Sequence, residues 1–204
     1  MRPIRSYKLT DPIEYERYLG FQAGLRARRR ECLVFCEHPA TITAGIQSRP
    51  ESLISSAGDL DRSGVALLSV ARAGDHTAHE PGQCVIYPHV DLRARGLGVA
   101  QYFHNLLECV SGAMLDVWSI ESTARADAPG LYLPGSGAKL ASIGILFKSF
   151  FTSFGVAVNV ANDLSTFTLI HPCGYAGQQI ASVAGEAADP VLLPAFLGGP
   201  PHPC

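Results

Sequence analysis

Neither sign of charge dominates this 204-residue chain, whose 16 lysines and arginines against 18 acids leave a formal net charge of −2. Proteins that bind nucleic acid broadly carry a basic excess, and none is present. Long apolar runs are missing as well. Gly, Lys or Ser interrupts each of them well before 18 residues, so no membrane-spanning helix is expected. There is no Cys-x-x-Cys pair, no Cys/His cluster with zinc-finger spacing, and no signal-peptide pattern in Met1-Arg2-Pro3-Ile4-Arg5. The six cysteines therefore point to a reducing cytosol, with neither a disulfide framework nor a structural metal. At 47% hydrophobic content the length suffices for one sizeable core, and a single domain over residues 1–204 is expected.

What is present reads as alternating helices and strands. Asp11-Pro12-Ile13-Glu14 has the form of a helix start, with an acid at the cap, proline at the first helical position and Glu three residues after the cap. The helix is expected to run to about Arg30. Its end at Arg26, Arg28, Arg29 and Arg30 is either a solvated complement to the helix dipole or a docking patch for an acidic partner. Residues 32 to 37 read as a buried strand, 40 to 64 as a long polar connection, 67 to 71 as a second strand and 84 to 92 as a third. Val99, Tyr102, Phe103, Leu106, Leu107, Val110, Met114 and Leu115 recur at helical spacing and predict a helix over 98–118. Lys139 to Phe147 and Phe151 to Val160 predict a hairpin. The order predicts an α+β fold, a mixed β-sheet flanked by helices, with the helices on one side. From about residue 189 the Pro- and Gly-rich tail is expected to be poorly ordered.

One cysteine stands apart. Cys173 lies in His171-Pro172-Cys173-Gly174-Tyr175, where proline fixes one backbone angle and glycine frees the next, so its thiol is expected on a tight turn. Most lone cysteines are small buried hydrophobes, and Cys32, Cys36, Cys84, Cys109 and Cys204 read as packing or tail residues. Only a thiolate is a nucleophile, and Lys139 in Gly135-Ser136-Gly137-Ala138-Lys139-Leu140-Ala141-Ser142-Ile143-Gly144 is the cation available to it. A thiol of pKa near 8.5 is only about 3% ionised at pH 7, and lowering it to about 7 takes about 2 kcal/mol, within reach of one nearby ammonium.

Several segments together carry a resemblance. Pro81-Gly82-Gln83 leading to Tyr87-Pro88 and Asp91-Leu92, then Lys139-Leu140-Ala141-Ser142-Ile143-Gly144, Asn159-Val160, Asp163-Leu164 and Pro172-Cys173-Gly174-Tyr175-Ala176-Gly177 resemble the lipoyl (octanoyl) transferase family, the lipoate-protein ligase B enzymes. The likeness runs from the strand before His38-Pro39 to about Val183. It implies the fold of the biotin and lipoate ligase catalytic domains. It also implies a cytoplasmic acyltransferase that takes octanoyl from acyl carrier protein and passes it to a lysine of a lipoyl domain, in 2-oxoacid dehydrogenases or the glycine cleavage H protein, without a cofactor. Cys173 would carry the acyl group as a thioester and Lys139 would lower its pKa. Arg72, Ala73, Gly74, Asp75, His76, Thr77, Ala78 and His79 would line the acyl pocket with Ser142, Ile143, Gly144, Gly155, Val156 and Ala157. The glycines would serve either the approach of an alkyl chain or ordinary sheet packing.

The chain also departs from the family pattern. Ala73 adds a methyl group, Ala78 removes an aromatic wall, Phe154 replaces a histidine, and Glu80 places a carboxylate beside a pocket expected to be apolar. An amidotransferase acting between lipoyl-carrier proteins, and a degenerate paralogue that binds acyl carrier or lipoyl domains without turnover, remain as alternatives. An ATP-dependent ligase has no need for this cysteine.

Overall fold

The computed structural model describes residues 3–186, so the expectation for the tail lies outside the described residues. In chain order the elements are β1 (Ser6–Lys8), α1 (Tyr15–Ala27), β2 (Cys32–Cys36), β3 (Thr41–Ala44), α2 (Ala57–Ser63), β4 (Ala66–Ser69), β5 (His76–His79), β6 (Gln83–His89), α3 (Val99–Trp118), β7 (Thr123–Ala124), β8 (Gly130–Tyr132), β9 (Lys139–Lys148), β10 (Phe151–Asn159) and α4 (Val183–Glu186). A seven-stranded mixed sheet has the order β1-β2-β6-β10-β9-β8-β7, and a three-stranded sheet has the order β4-β3-β5. In each sheet one pair is parallel, β1 with β2 and β3 with β4.

The large sheet is apolar on both faces because its central strands alternate between two cores. Cys84 and Ile86 of β6 join Leu107, Val110, Met114 and Trp118 of α3, while Val85 and Tyr87 join Tyr15, Tyr18 and Leu25 of α1. The helices thus cover both faces, which corrects the expectation of one side. A strand buried on both faces needs a cover on each.

Three local readings are also corrected. First, α1 begins at Tyr15 and not after Asp11, because Ile13 N–H donates to the Glu37 carbonyl at 2.9 Å and the Ile13 carbonyl accepts from His38 Nδ1 at 2.6 Å. Those bonds hold residue 13 beside β2. Second, α1 ends at Ala27 through Arg29 in the left-handed region (φ 46°), with Arg30 N–H bonded to the Leu25 carbonyl. Arg29 then pairs with Asp91 at 2.6 Å and lies over the Phe151 ring, so it joins the fold. Third, the connection at 40–64 contains β3 and α2. The helix α2 is opened by a reciprocal Ser56/Asp59 capping box and closed by left-handed Gly64.

The β9–β10 hairpin closes in two residues, Ser149 and Phe150, both at positive φ (50° and 62°), as a tight primed turn requires. Between β6 and β10 the ladder is interrupted. Pro88 has no N–H to offer, and opposite it Phe154 takes φ 62° and turns its own N–H to Gln22 Oε1 of α1 at 2.7 Å. Pairing holds from Val156 to Asn159 and returns at Thr152, whose N–H donates to the Val90 carbonyl. A cavity lies at this interruption.

Candidate active site

Cys173 sits where its flanking residues dictate. It occupies the left-handed region (φ 56°, ψ 20°) in the short turn Pro172–Gly174, followed by Gly174 at φ 78°. The turn closes on itself, Gly174 N–H donating to the His171 carbonyl at 2.9 Å, and the neighbouring turn at Pro50–Ser52 holds it through His171 N–H donating to the Ser52 carbonyl at 2.7 Å. A side chain on Gly174 would run into the Arg49 guanidinium and lie 2.6 Å from Asp75 Oδ2.

That approach belongs to a clamp built around one buried carboxylate. Asp75 accepts from Ser52 Oγ at 2.6 Å, from the His76 N–H and Nδ1 at 2.7 Å each, and from the Arg49 N–H at 3.2 Å. Arg49 Nη2 in turn donates to the Gly174 carbonyl at 3.0 Å. Burial alone would push the Asp75 carboxyl up, but these donors hold it below the ordinary carboxylate range.

Lys139, the first residue of β9, is 1% exposed. Its Nζ donates to Cys173 Sγ at 3.0 Å and to the Pro129 carbonyl at 3.1 Å, and lies 5.2 Å from the Tyr132 ring centroid. Gly130 of β8 makes room for it, since a Cβ there would lie 2.6 Å from Lys139 Cε. The backbone of Lys139 is pinned from the other side by Gln179 and Ala181, which follow the cysteine turn. Burial pulls the ammonium's pKa down, but Cys173 and Tyr132 raise it by more, so it lies above the ordinary lysine value. The pair is a sulfur facing an ammonium donor at the edge of a cavity.

The cavity has a free volume of about 430 Å³ including its mouth. Of the residues expected at an acyl pocket, Arg72, Gly74, Asp75, Thr77, His79, Ser142, Ile143, Gly144, Gly155, Val156 and Ala157 line it together with Cys173. Lys139 stands behind the sulfur and outside the lining. Ala73 also lies outside it, on a second cavity. His76 and Ala78 alternate to the other face of β5: His76 is bonded to Asp75, and Ala78 packs with Ile42 and Phe167. The expectation that Ala78 removes a wall of this pocket is thereby corrected. Glu80 is corrected as well, because it turns away to accept from Asn162 Nδ2 at 2.8 Å and the Thr166 N–H at 3.0 Å.

Gly144 and Gly155 of the pocket serve close packing. A Cβ on Gly144 would lie 2.9 Å from Arg72 Cδ, and one on Gly155 would overlap the Ile86 carbonyl. Arg72 itself is buried, with its guanidinium bonded to the Thr43 carbonyl at 2.6 Å and hydroxyl at 2.8 Å.

Sequence reasoning missed Tyr15 and Val85 on the cavity wall and Arg49 and Ser52 in the clamp, and had Tyr87 only within a motif and Phe154 only as a departure from the family pattern. No local motif marks Tyr15, Arg49 or Ser52, since each is brought in from a distant element. The other described cysteines are placed differently, three of them buried and none in the cavity lining. Burial raises Cys32, Cys36 and Cys84, the last to about 12. Cys109 is exposed on α3, against the expectation of packing, and Cys204 lies outside the described residues. Among the described residues no His, Cys, Asp and Glu group could hold a metal ion, and no helix is long and apolar enough to cross a membrane.

Residues 10–196 match the family described as the lipoyl protein ligase A/B catalytic domain. A relative named octanoyltransferase, from Leptospira borgpetersenii serovar Hardjo-bovis, is 47% identical over 190 residues, covering 93% of this chain and 85% of the relative. Among solved structures, a lipoate-protein ligase A bound with ATP superposes with a TM-score of 0.75 at 13% identity, covering 96% of this chain and 83% of that one. A bi-partite lipoate protein ligase from Thermoplasma acidophilum, described with its E2 lipoyl domain, gives 0.68 at 12% identity, covering 96% and 81%. At such identities the structures speak for the fold alone.

Proposed function

This chain belongs to the family of lipoyl protein ligase A/B catalytic domains, and we propose that it moves an octanoyl group from acyl carrier protein to a lipoyl-domain lysine through a thioester on Cys173. The observation that carries this reading is the Lys139 Nζ donating to Cys173 Sγ at 3.0 Å at the lip of a cavity. An ammonium held there favours negative charge on sulfur, and the thiolate is the nucleophile.

In the first half-reaction the thiolate attacks the carbonyl carbon of the octanoyl thioester. The new C–S bond forms as the carrier's C–S bond breaks, and the departing thiolate takes a proton that Lys139 supplies. In the second, the neutral amine of the acceptor lysine attacks the Cys173 thioester, loses a proton to Lys139, and releases the Cys173 thiolate. Over the cycle Lys139 gives one proton to the carrier thiol and regains one from the acceptor amine, and Cys173 returns to its thiolate. Exchange of one thioester for another is nearly balanced, and aminolysis to an amide is downhill, so no ATP is consumed. The reading names acyl carrier protein as donor, and the lipoyl domains of 2-oxoacid dehydrogenases and the glycine cleavage H protein as acceptors. It places the reaction in the cytoplasm, whose reducing poise keeps Cys173 a free thiol.

The test combines the purified chain, octanoyl-acyl carrier protein and an unmodified lipoyl domain without ATP. An octanoyl amide on the lipoyl domain is expected, with the rate lowered by about 10²-fold or more in Lys139→Met. Transfer that requires ATP, or that Lys139→Met leaves at the wild-type rate, would contradict the reading.

A further inference from the structure

Cys173 meets two cavities. Gly74, Asp75, Ile143, Gly144 and Cys173 line both the inner one and a second, wider one of about 1050 Å³ including its mouth. A thioester is built the same way, with two arms diverging from one carbonyl carbon. We infer that the outer cavity is the channel for the thiol arm of the acyl donor, a flexible pantetheine-type chain ending in phosphate, while the inner cavity holds the acyl chain. The inference rests on Cys173 being the acyl acceptor.

Which arm goes where follows from tethering. The donor's thiol arm is attached to a carrier that stays in solvent, so its cavity must reach the surface. The outer cavity does, because Arg49 and Tyr175 on its lining are 55% and 45% exposed. The inner cavity is walled by buried Tyr15, Tyr87 and Phe154, which suits a free alkyl end. The outer wall carries Phe103, Ile145 and Phe147 for the arm's methylene and methyl groups. An acceptor lysine is also tethered, so it has to enter by the same channel after the donor arm has left.

The experiment follows Cys173 acylation with octanoyl-coenzyme A, which carries the full arm, and with octanoyl-N-acetylcysteamine, which carries its stub. Two variants narrow the outer cavity: Phe147→Trp on β9 and Ala73→Leu on an exposed loop where added bulk does not burden folding. Both are expected to slow acylation by the full-arm donor about tenfold or more and by the stub donor less than about twofold, with octanoyl still preferred over hexanoyl. Equal losses with both donors would overturn the channel. So would a shift of preference to hexanoyl, which would put the acyl chain in the outer cavity. If the wild type accepts octanoyl from neither donor, the Cys173 reading itself fails, and that result is separate from any difference between the variants.

Discussion

The two faces of the large sheet are packed in different chemistries. Under α3 the core is almost wholly aliphatic, with Met114, Val110 and Leu107 against Leu140, Val156 and Val158. Under α1 it is aromatic and hydrogen-bonded: Tyr18 stacks on Tyr87 at 4.2 Å and bonds to His89 at 2.8 Å, and His38 bonds to Tyr87 at 2.8 Å. The inner cavity draws Tyr15, Tyr87 and Phe154 from that second face. One face supplies stability through area, which tolerates change of residue but not loss of volume. The other fixes positions through directed bonds, which leaves room for a site.

Substitutions on the two faces should separate accordingly. Met114→Ala removes a fully buried side chain and should cost about 2–5 kcal/mol of stability, measured by denaturant unfolding, while the folded fraction keeps its acyl transfer rate. An equal fall in rate would mean that the aliphatic face shapes the site beyond the Val156 it lends to the cavity wall. Gly174→Ala puts a side chain into the Arg49 and Asp75 clamp at φ 78°. It should lower acylation of Cys173 about 10²-fold, an increase in barrier of about 2.7 kcal/mol, with a smaller loss of stability. Unchanged acylation would remove the clamp from the account.

The bonded face should also carry the pH dependence. Burial holds His38 at about 4, below its unfolded value, so protonation favours the unfolded chain. Its contribution is intact above about pH 6.5 and is lost as pH falls towards 4, amounting to about 2 kcal/mol at pH 5. Nδ1 must be the donor to the Ile13 carbonyl, and an asparagine amide can take that place. His38→Asn should therefore lose about 2 kcal/mol less stability than the wild type between pH 7 and pH 5, and parallel curves would refute the assignment. The smallest effect should come from Ser56→Ala at the α2 cap, far from this contrast: about 1 kcal/mol of stability and no change in rate.

The same contrast explains what could be read from the chain. The stripe of α3 was legible because aliphatic side chains at helical spacing have one use, and the β9–β10 hairpin because its two apolar runs are broken only by Lys148 and Ser149. Cys173 was legible because proline and glycine leave it no regular element. The strand β5, His76-Thr77-Ala78-His79, is absent from the strands read in the sequence, since the buried face it presents is hydrogen-bonding and has no apolar alternation to betray it. Helix α2 did carry a signal, Ser56 and Asp59 three apart with Gly64 at the end, and it was passed over for want of an apolar stripe. Arg49 and Asp75 lie 26 positions apart and meet only because β3 and β5 pair. No spacing rule reaches such a contact.

The central claim is that Cys173 takes the acyl group, and intact-protein mass measurement after mixing the chain with octanoyl-acyl carrier protein tests it most directly. One octanoyl increment on the wild type, released by hydroxylamine and absent from Cys173→Ser, is the predicted result. An unmodified wild type, or an increment that persists in Cys173→Ser, would contradict it.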